Sequence, residues 1–307
     1  MRNSVFKYLS KLFKRKRFVF FTGDVGYNAL EPLREMMGPY FFNAGIAEQN
    51  MVSMAAGVAI EGLGVWVYSI APFCYARPFE QIRNDICLNN LPVKLIGNGG
   101  GYAYGHNGAT HHAIDDYGSL LTLQNCCVYI PVFEEDIEAQ LSKIVESNHP
   151  TYLRLGRCEC PAGYEPPPYQ PWRKLIEGKG PVLLAVGPIV GGYIKRFLEC
   201  EVWQRPEIWA LAELPIKPGE PPDEFLACVT EKDQLVVAEE HVAQGGAGSI
   251  IAQYLLSLGV HPKVFKHIYA LGYPTGTYGS QKFHRKQCRL DAESIATLIN
   301  KLKCDAG

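Results

Sequence analysis

The sequence predicts an α/β protein of two domains, the first built on a mainly parallel sheet and the second a smaller α/β unit. Three observations carry that expectation. The chain has 307 residues, which argues for two domains rather than one. Strand-like apolar runs alternate with helix-like stretches through the first 160 residues, the signature of a sheet with helices on both faces. Residues 161–181 then hold six prolines and no periodic pattern, after which the alternation resumes. The expected divisions are a domain at 1–160, a proline-rich connector at 161–180 and a second domain at 181–307.

Taken in order, Val5, Phe6, Leu9, Leu12 and Phe13 recur at helical spacing and predict an amphipathic helix over 2–14. Phe18 to Thr22 is a short apolar run of buried-strand type that ends in Gly23-Asp24. A helix is expected over 46–61, with Ala47, Ala55, Ala56 and Gly57 permitting close packing. Val65–Ile70 reads as a strand, 76–90 as a helix bearing Arg77, Gln81 and Arg83, and Leu91–Gly97 as a strand that opens into a glycine-rich loop. A short helix at 114–123, a strand at 127–131, an acidic amphipathic helix at 134–147 and a strand at 151–155 close the first domain. In the second, strands are expected at 182–186, 208–211 and 235–238, with helices at 191–200 and 249–258. In such a fold, functional loops belong at the carboxyl ends of the strands. Gly23-Asp24, Phe73–Arg77, Gly97–His112 and Arg154–Arg157 follow those ends.

The composition narrows the function. Net charge is −1, with 47% hydrophobic and 20% charged residues, so no general field attracts nucleic acid or a membrane surface. The one basic stretch, Lys7 to Arg17, fits the solvated face of the first helix better than a nucleic-acid arm. No apolar run approaches the length of a membrane span, and Phe18–Phe21 is too short for a signal-peptide core. The ten cysteines are irregularly spaced and form no CxxC pair. They read as reduced structural thiols in a cytoplasmic protein, and a zinc site is not expected.

Three features could carry chemistry. Glu48 is the one side chain in Tyr40–Asn50 that carries a formal charge at neutral pH, at a junction between an apolar run and a helix. It is either a first-turn acid favoured by the helix dipole or a carboxylate with a specific partner. The stretch Gly97–His112 has five glycines among its first nine residues, which permits close ligand approach. It matches neither the dinucleotide nor the phosphate-binding glycine motif. Its histidines, His106, His111 and His112, are poorly spaced for a metal and suit acid–base chemistry or substrate hydrogen bonding. Arg154 and Arg157, in Tyr-Leu-Arg-Leu-Gly-Arg, form either a phosphate grip at a strand end or a surface salt-bridge pair.

Together these segments resemble the transketolase and deoxyxylulose-phosphate synthase family. The resemblance rests on Phe42-Asn-Ala-Gly-Ile-Ala-Glu-Gln-Asn50 with Ala55-Ala-Gly57, on Arg77-Pro-Phe-Glu-Gln-Ile-Arg83, on Gly108-Ala-Thr-His-His112 and on Arg154-Leu-Gly-Arg157, in that order. Glu239-Glu240-His241 followed by Gly245-Gly-Ala-Gly-Ser249 is similar to the family's C-terminal domain, so the resemblance covers almost the whole chain. It implies a pyrimidine-binding domain at 1–160, a transketolase C-terminal-like domain at 181–307, and a thiamine diphosphate cofactor. Glu48 matches the glutamate that hydrogen-bonds N1′ of the cofactor's aminopyrimidine and takes part in activating it. Phe73 resembles the aromatic that stacks on the pyrimidine, with Tyr75 a neighbour. His111 matches a histidine facing the substrate hydroxyls, with His106 and Asn107 beside it. Arg157 and Arg154 match arginines that grip the substrate phosphate, and Arg2 falls near another.

Two departures from the family pattern matter. The family commonly has Asp where Asn107 stands, so the usual sugar specificity is in doubt. The Gly-Asp-Gly segment and metal-binding Asn that hold diphosphate and magnesium are not found in 1–307. The resemblance therefore implies the C-terminal subunit of a split transketolase. A diphosphate-binding N-terminal partner would hold Mg2+, the active site would lie between chains in a heterotetramer, and the substrate would be a sugar phosphate. The alternatives within this architecture are the beta subunit of a 2-oxo acid dehydrogenase and a non-catalytic scaffold subunit.

Overall fold

The computed structural model of the chain describes residues 1–273 and 276–304. The first domain runs α1 (Arg2–Arg15), β1 (Phe18–Thr22), α2 (Glu31–Met37), β2 (Phe41–Asn43), α3 (Glu48–Ile60), β3 (Gly64–Ile70), α4 (Ala71–Tyr75), α5 (Phe79–Gln81), β4 (Val93–Asn98), α6 (Asp116–Leu120), β5 (Cys127–Tyr129), α7 (Asp136–Glu146) and β6 (Thr151–Leu155). The second runs β7 (Trp172–Ile176), β8 (Val182–Val186), α8 (Val190–Phe197), β9 (Glu207–Leu211), β10 (Glu213–Leu214), α9 (Asp223–Lys232), β11 (Gln234–Ala238), α10 (Ala247–Ser257), β12 (Val264–Ile268), α11 (Gln281–Gln287) and α12 (Ala292–Cys304).

The strands form two sheets, with order β10-β5-β6-β4-β3-β1-β2 in the first and β12-β11-β8-β9-β7 in the second. Both are parallel except at one edge, where β10 pairs antiparallel with β5 and β7 with β9. The apolar runs read as strands are buried along their length, as β1, β6 and β8 show, because helices cover both faces. The α/β class and the mainly parallel sheet of the first domain follow from that patterning.

Three departures from the expected elements have physical causes. The expected helix at 76–90 begins earlier, as α4, and breaks at residues 76–78 before α5 and a π-helical turn over Ile82–Cys87. Pro78 has no N–H to give and biases Arg77 away from helical geometry. The connector expected at 161–180 is coil only in its first part, since Trp172–Ile176 forms β7 on β9. The third departure is β10, whose Leu214 pairs with Val128, so a strand from the second domain extends the first domain's sheet. Ile130 N–H adds a bond to Ala212 O at 2.8 Å.

Candidate active site

Because β1, β3, β4 and β6 run parallel, their carboxyl ends deliver four loops to one edge of the sheet. The end of β1 is tied to the end of β2. Asn43 Oδ1 accepts from Asp24 N–H at 2.9 Å and from Gly45 N–H at 3.0 Å, while Asn43 Nδ2 donates to Asp24 Oδ1 at 3.0 Å. Asp24 takes a left-handed φ of 53° in this lock.

Glu48 is the first residue of α3, and the preceding Ala47 supplies no side-chain cap. Its carboxylate therefore sits at the positive end of the helix, and it is only 3% exposed. It has a specific partner as well: Arg77 Nη1 donates to Glu48 Oε1 at 2.8 Å. The same guanidinium lies 3.8 Å above the centroid of the Phe73 ring. Phe73, half-buried on α4, meets His111 edge-on with ring centroids 5.1 Å apart. Burial and the neighbouring Arg77 charge hold the His111 pKa below the usual histidine value. Thr110 Oγ1 is 3.0 Å from His111 Nδ1. A cavity of ≈ 620 Å³ opens beside this group, lined by Ile46, Ala47, Glu48, Gln49, Asn50 and Arg77.

The structure places the other expected residues in two ways. His106 and Asn107 are exposed on a single 3-10 turn, and Arg157 is exposed beyond the end of β6. Tyr75, Arg154 and Arg2 are engaged elsewhere. Tyr75 is buried and its hydroxyl donates to Asp115 Oδ1, so it does not line the cavity at Glu48. Arg154 is buried inside β6. Its Nε donates to Asp116 Oδ2 at 2.7 Å and its Nη2 to Ala113 O at 2.8 Å and Glu240 O at 2.9 Å. This fork is engaged by the protein itself and ties the two domains together, which differs from the expected phosphate grip. Arg2 lies beside the buried Tyr68 hydroxyl, whose pKa burial raises and Arg2 moderates. His112 is fully buried against Tyr102 and His284, away from solvent. Among the described residues, no group of three or more His, Cys, Asp or Glu side chains could hold a metal ion.

Residues outside the expected set complete the neighbourhood. Arg77 belongs to a segment the sequence singled out, yet a contact reaching back 29 positions to Glu48 leaves no periodic trace. Tyr273, from the second domain, donates to Asp115 Oδ1 at 2.8 Å, the oxygen that also accepts from Tyr75. The Glu239-Glu240-His241 segment lies at the junction of the domains. Glu239 accepts from Ala247 and Gly248 N–H at 2.8 Å each, from the Tyr117 hydroxyl, and lies 2.6 Å from His267 Nε2. The amino terminus of α10 is thus occupied by the protein's own carboxylate. Glu240 accepts from Arg285 Nη2 at 2.8 Å and Gln281 Nε2 at 3.0 Å. His241 stacks on Tyr117 at 3.9 Å and accepts from Gly118 N–H at 3.0 Å. No described helix is long and apolar enough to cross a membrane. The ten cysteines are free, four of them buried.

Comparison with known proteins identifies relatives of the chain and of its fold. Residues 2–162 match the family described as transketolase, pyrimidine binding domain. One subunit of the apulose-4-phosphate transketolase of Actinobacillus succinogenes is 31% identical over 267 residues, covering 85% of this chain and 84% of that protein. The 1-deoxy-D-xylulose-5-phosphate synthase 2 of Geobacter sulfurreducens is 33% identical over 291 residues, covering 92% of this chain but 44% of the synthase. Among solved structures, a split gene transketolase in the form of an inactive β4 tetramer superimposes with a TM-score of 0.82 at 27% identity, over 98% of this chain and 97% of that one.

Proposed function

The chain belongs to the transketolase family, and on that premise we propose that it is the C-terminal subunit of a two-component, thiamine diphosphate-dependent transketolase. The reaction would move a two-carbon ketol unit from a ketose phosphate to an aldose. The observation that carries this reading is a contact chain at the carboxyl edge of the sheet: Arg77 joins Glu48 to Phe73, Phe73 packs on His111, and Glu48 and Arg77 line a cavity.

These residues suit the cofactor's aminopyrimidine. A nearly buried carboxyl group with one side-chain partner can share a proton with a ring nitrogen, and a half-buried aromatic face offers a stacking surface. When bound, thiamine diphosphate would supply the nucleophilic carbon and the electron sink for ketose carbon–carbon cleavage. Glu48 would hold the pyrimidine at N1′ and share a proton there. Phe73 would fix the plane of the ring. His111, its pKa held down by burial and Arg77, is biased toward the neutral imidazole, which can accept or donate at a substrate hydroxyl. His106 and Asn107 would hydrogen-bond the sugar, Asn107 as an amide without the charge of a carboxylate. Arg157, free in solvent, would hold the substrate phosphate; Arg154 would brace the site from below.

The diphosphate and Mg2+ would be held by an N-terminal partner subunit, in a cytoplasmic heterotetramer. Three findings support that part. The apulose-4-phosphate transketolase relative, itself one subunit of its enzyme, is matched over most of its length, whereas the synthase is matched over less than half. The split gene relative is an inactive β4 tetramer. The free thiols suit a reducing compartment. The test is thiamine diphosphate binding to the chain assembled with a diphosphate-domain partner. Phe73→Ala and Glu48→Ala should each weaken binding by about tenfold or more, on the usual scale of a stacking or charge-assisted contact. Unchanged affinity in both variants would remove the assignment of these residues to the cofactor.

A further inference from the structure

Arg77 touches or polarises Glu48, Phe73 and His111, yet the reading above gives it no contact with cofactor or substrate. Its placement has a local cause. Pro78 ends the helical path after α4, and the turn at 76–78 lets the Arg77 side chain fold back over α4 toward the start of α3. There it does three things at once. Its planar, nitrogen-rich end donates to Glu48 Oε1 at 2.8 Å, it covers a face of the Phe73 ring at 3.8 Å, and it forms part of the wall of the ≈ 620 Å³ cavity.

A flat, nitrogen-bearing group that donates to Glu48 while stacked on Phe73 has the same contacts as those assigned to the aminopyrimidine. The two cannot both occupy the covered face of Phe73. We infer that Arg77 holds the pyrimidine's place in the unloaded chain and must swing away for the ring to enter. The inference rests on the cofactor reading above. The energetics permit the exchange. The Arg77 side chain is 43% exposed, so its release leaves no buried cation behind. An ion pair with one exposed partner and a single cation–π contact are each worth little. Glu48, by contrast, is buried and needs a partner in both states, first the guanidinium and then the ring nitrogen. Arg77 thus keeps the buried carboxylate satisfied before loading and weakens cofactor binding by the free energy needed to displace it.

The test is a ligand-observed NMR titration of the full chain with 4-amino-5-hydroxymethyl-2-methylpyrimidine, the pyrimidine half of the cofactor. Arg77→Gln removes the charge and the planar fork, and should bind this probe about tenfold more tightly than the parent chain, the combined scale of one ion pair and one cation–π stack. Arg77→Lys keeps the charge without the fork and should fall between them. Phe73→Ala should lose the probe in either background. Thermal melts check that the variants are folded, and the lysine variant retains the test if the glutamine variant is not. Binding by Arg77→Gln that equals or falls below the parent's overturns the inference while leaving the cofactor reading intact. Failure of every form to bind the probe overturns the inference, and thiamine diphosphate binding by the assembled complex then decides the cofactor reading separately.

Discussion

Glu48 has one side-chain hydrogen bond among the described residues, to Arg77, and that pairing links the chemistry of the site to a single guanidinium. His111 senses the same charge. Burial lowers its pKa first, and Arg77 lowers it further. Arg77→Gln should therefore raise the His111 pKa part of the way toward the usual value, with burial keeping the rest of the shift. An imidazole NMR titration checks this, and an unmoved midpoint would place Arg77 too far away to matter. Glu48 could be found in the sequence because it stands alone among apolar neighbours. Its partner could not, because the contact depends on how a turn after α4 is folded. Arg154 and Arg157 carried equal weight as letters. Arg154 lies inside a buried strand against Asp116, and Arg157 lies beyond its end. That difference belongs to the tertiary structure.

Elements that are buried on both faces were legible, because continuous apolar runs leave few other options; β1, β3, β8 and β11 all fall within two residues of expectation. Several short or half-exposed elements were not. Phe41–Asn43 is three residues long, Val264–Ile268 includes exposed Lys266, and α11 has only one apolar side chain, Phe283. β7 was hidden because Arg173 and Lys174 interrupt Trp172, Leu175 and Ile176, while the buried Arg173 is satisfied through Asp136 on α7 and the Pro167 carbonyl. Two glycines give opposite predictions at this scale. A methyl group at Gly118, on α6, would come within 2.6 Å of His241 Cε1 and 2.9 Å of Gly245 O. Gly118→Ala should cost about 1–3 kcal/mol through overpacking at the domain junction. Gly57, on the exposed side of α3, has nothing within 4 Å of such a methyl group. Gly57→Ala should stabilise the chain by about 0.5–1 kcal/mol. Urea melts of the two variants check both signs, and a destabilised Gly57→Ala would mean that this face of α3 is not free in the chain alone.

Across the whole molecule, the domains are joined by strand β10 and by buried charges, and both contribute to holding the site in shape. Burial pushes the Glu239 and Glu240 carboxyls up, but His267, His241 and Tyr117 around the first, and Arg285, Arg154 and Gln281 around the second, hold both below the ordinary value of 4.5. Their folded forms therefore bind protons less readily than the unfolded chain. The stabilisation is complete above about pH 4.5 and is lost as pH falls through their folded pKa values. Arg285→Ala leaves Glu240 without its main cation and should cost about 3–5 kcal/mol at pH 7, with a smaller difference from the parent chain at pH 3. Chemical melts at the two pH values read this, and a cost that stays constant with pH would count against it. The larger claim is that this chain carries half of an active site, with Glu48 as its contribution to the cofactor. The most direct measurement is ketol transfer from a ketose phosphate to an aldose by the purified chain, alone and with a diphosphate-domain partner, with Glu48→Gln as the comparison. The account predicts no transfer by the chain alone, transfer on mixing with the partner, and a fall of about a hundredfold or more in the Glu48→Gln complex, the scale of a lost proton-transfer group. Transfer by the chain alone, or an undiminished rate with Glu48→Gln, would contradict it.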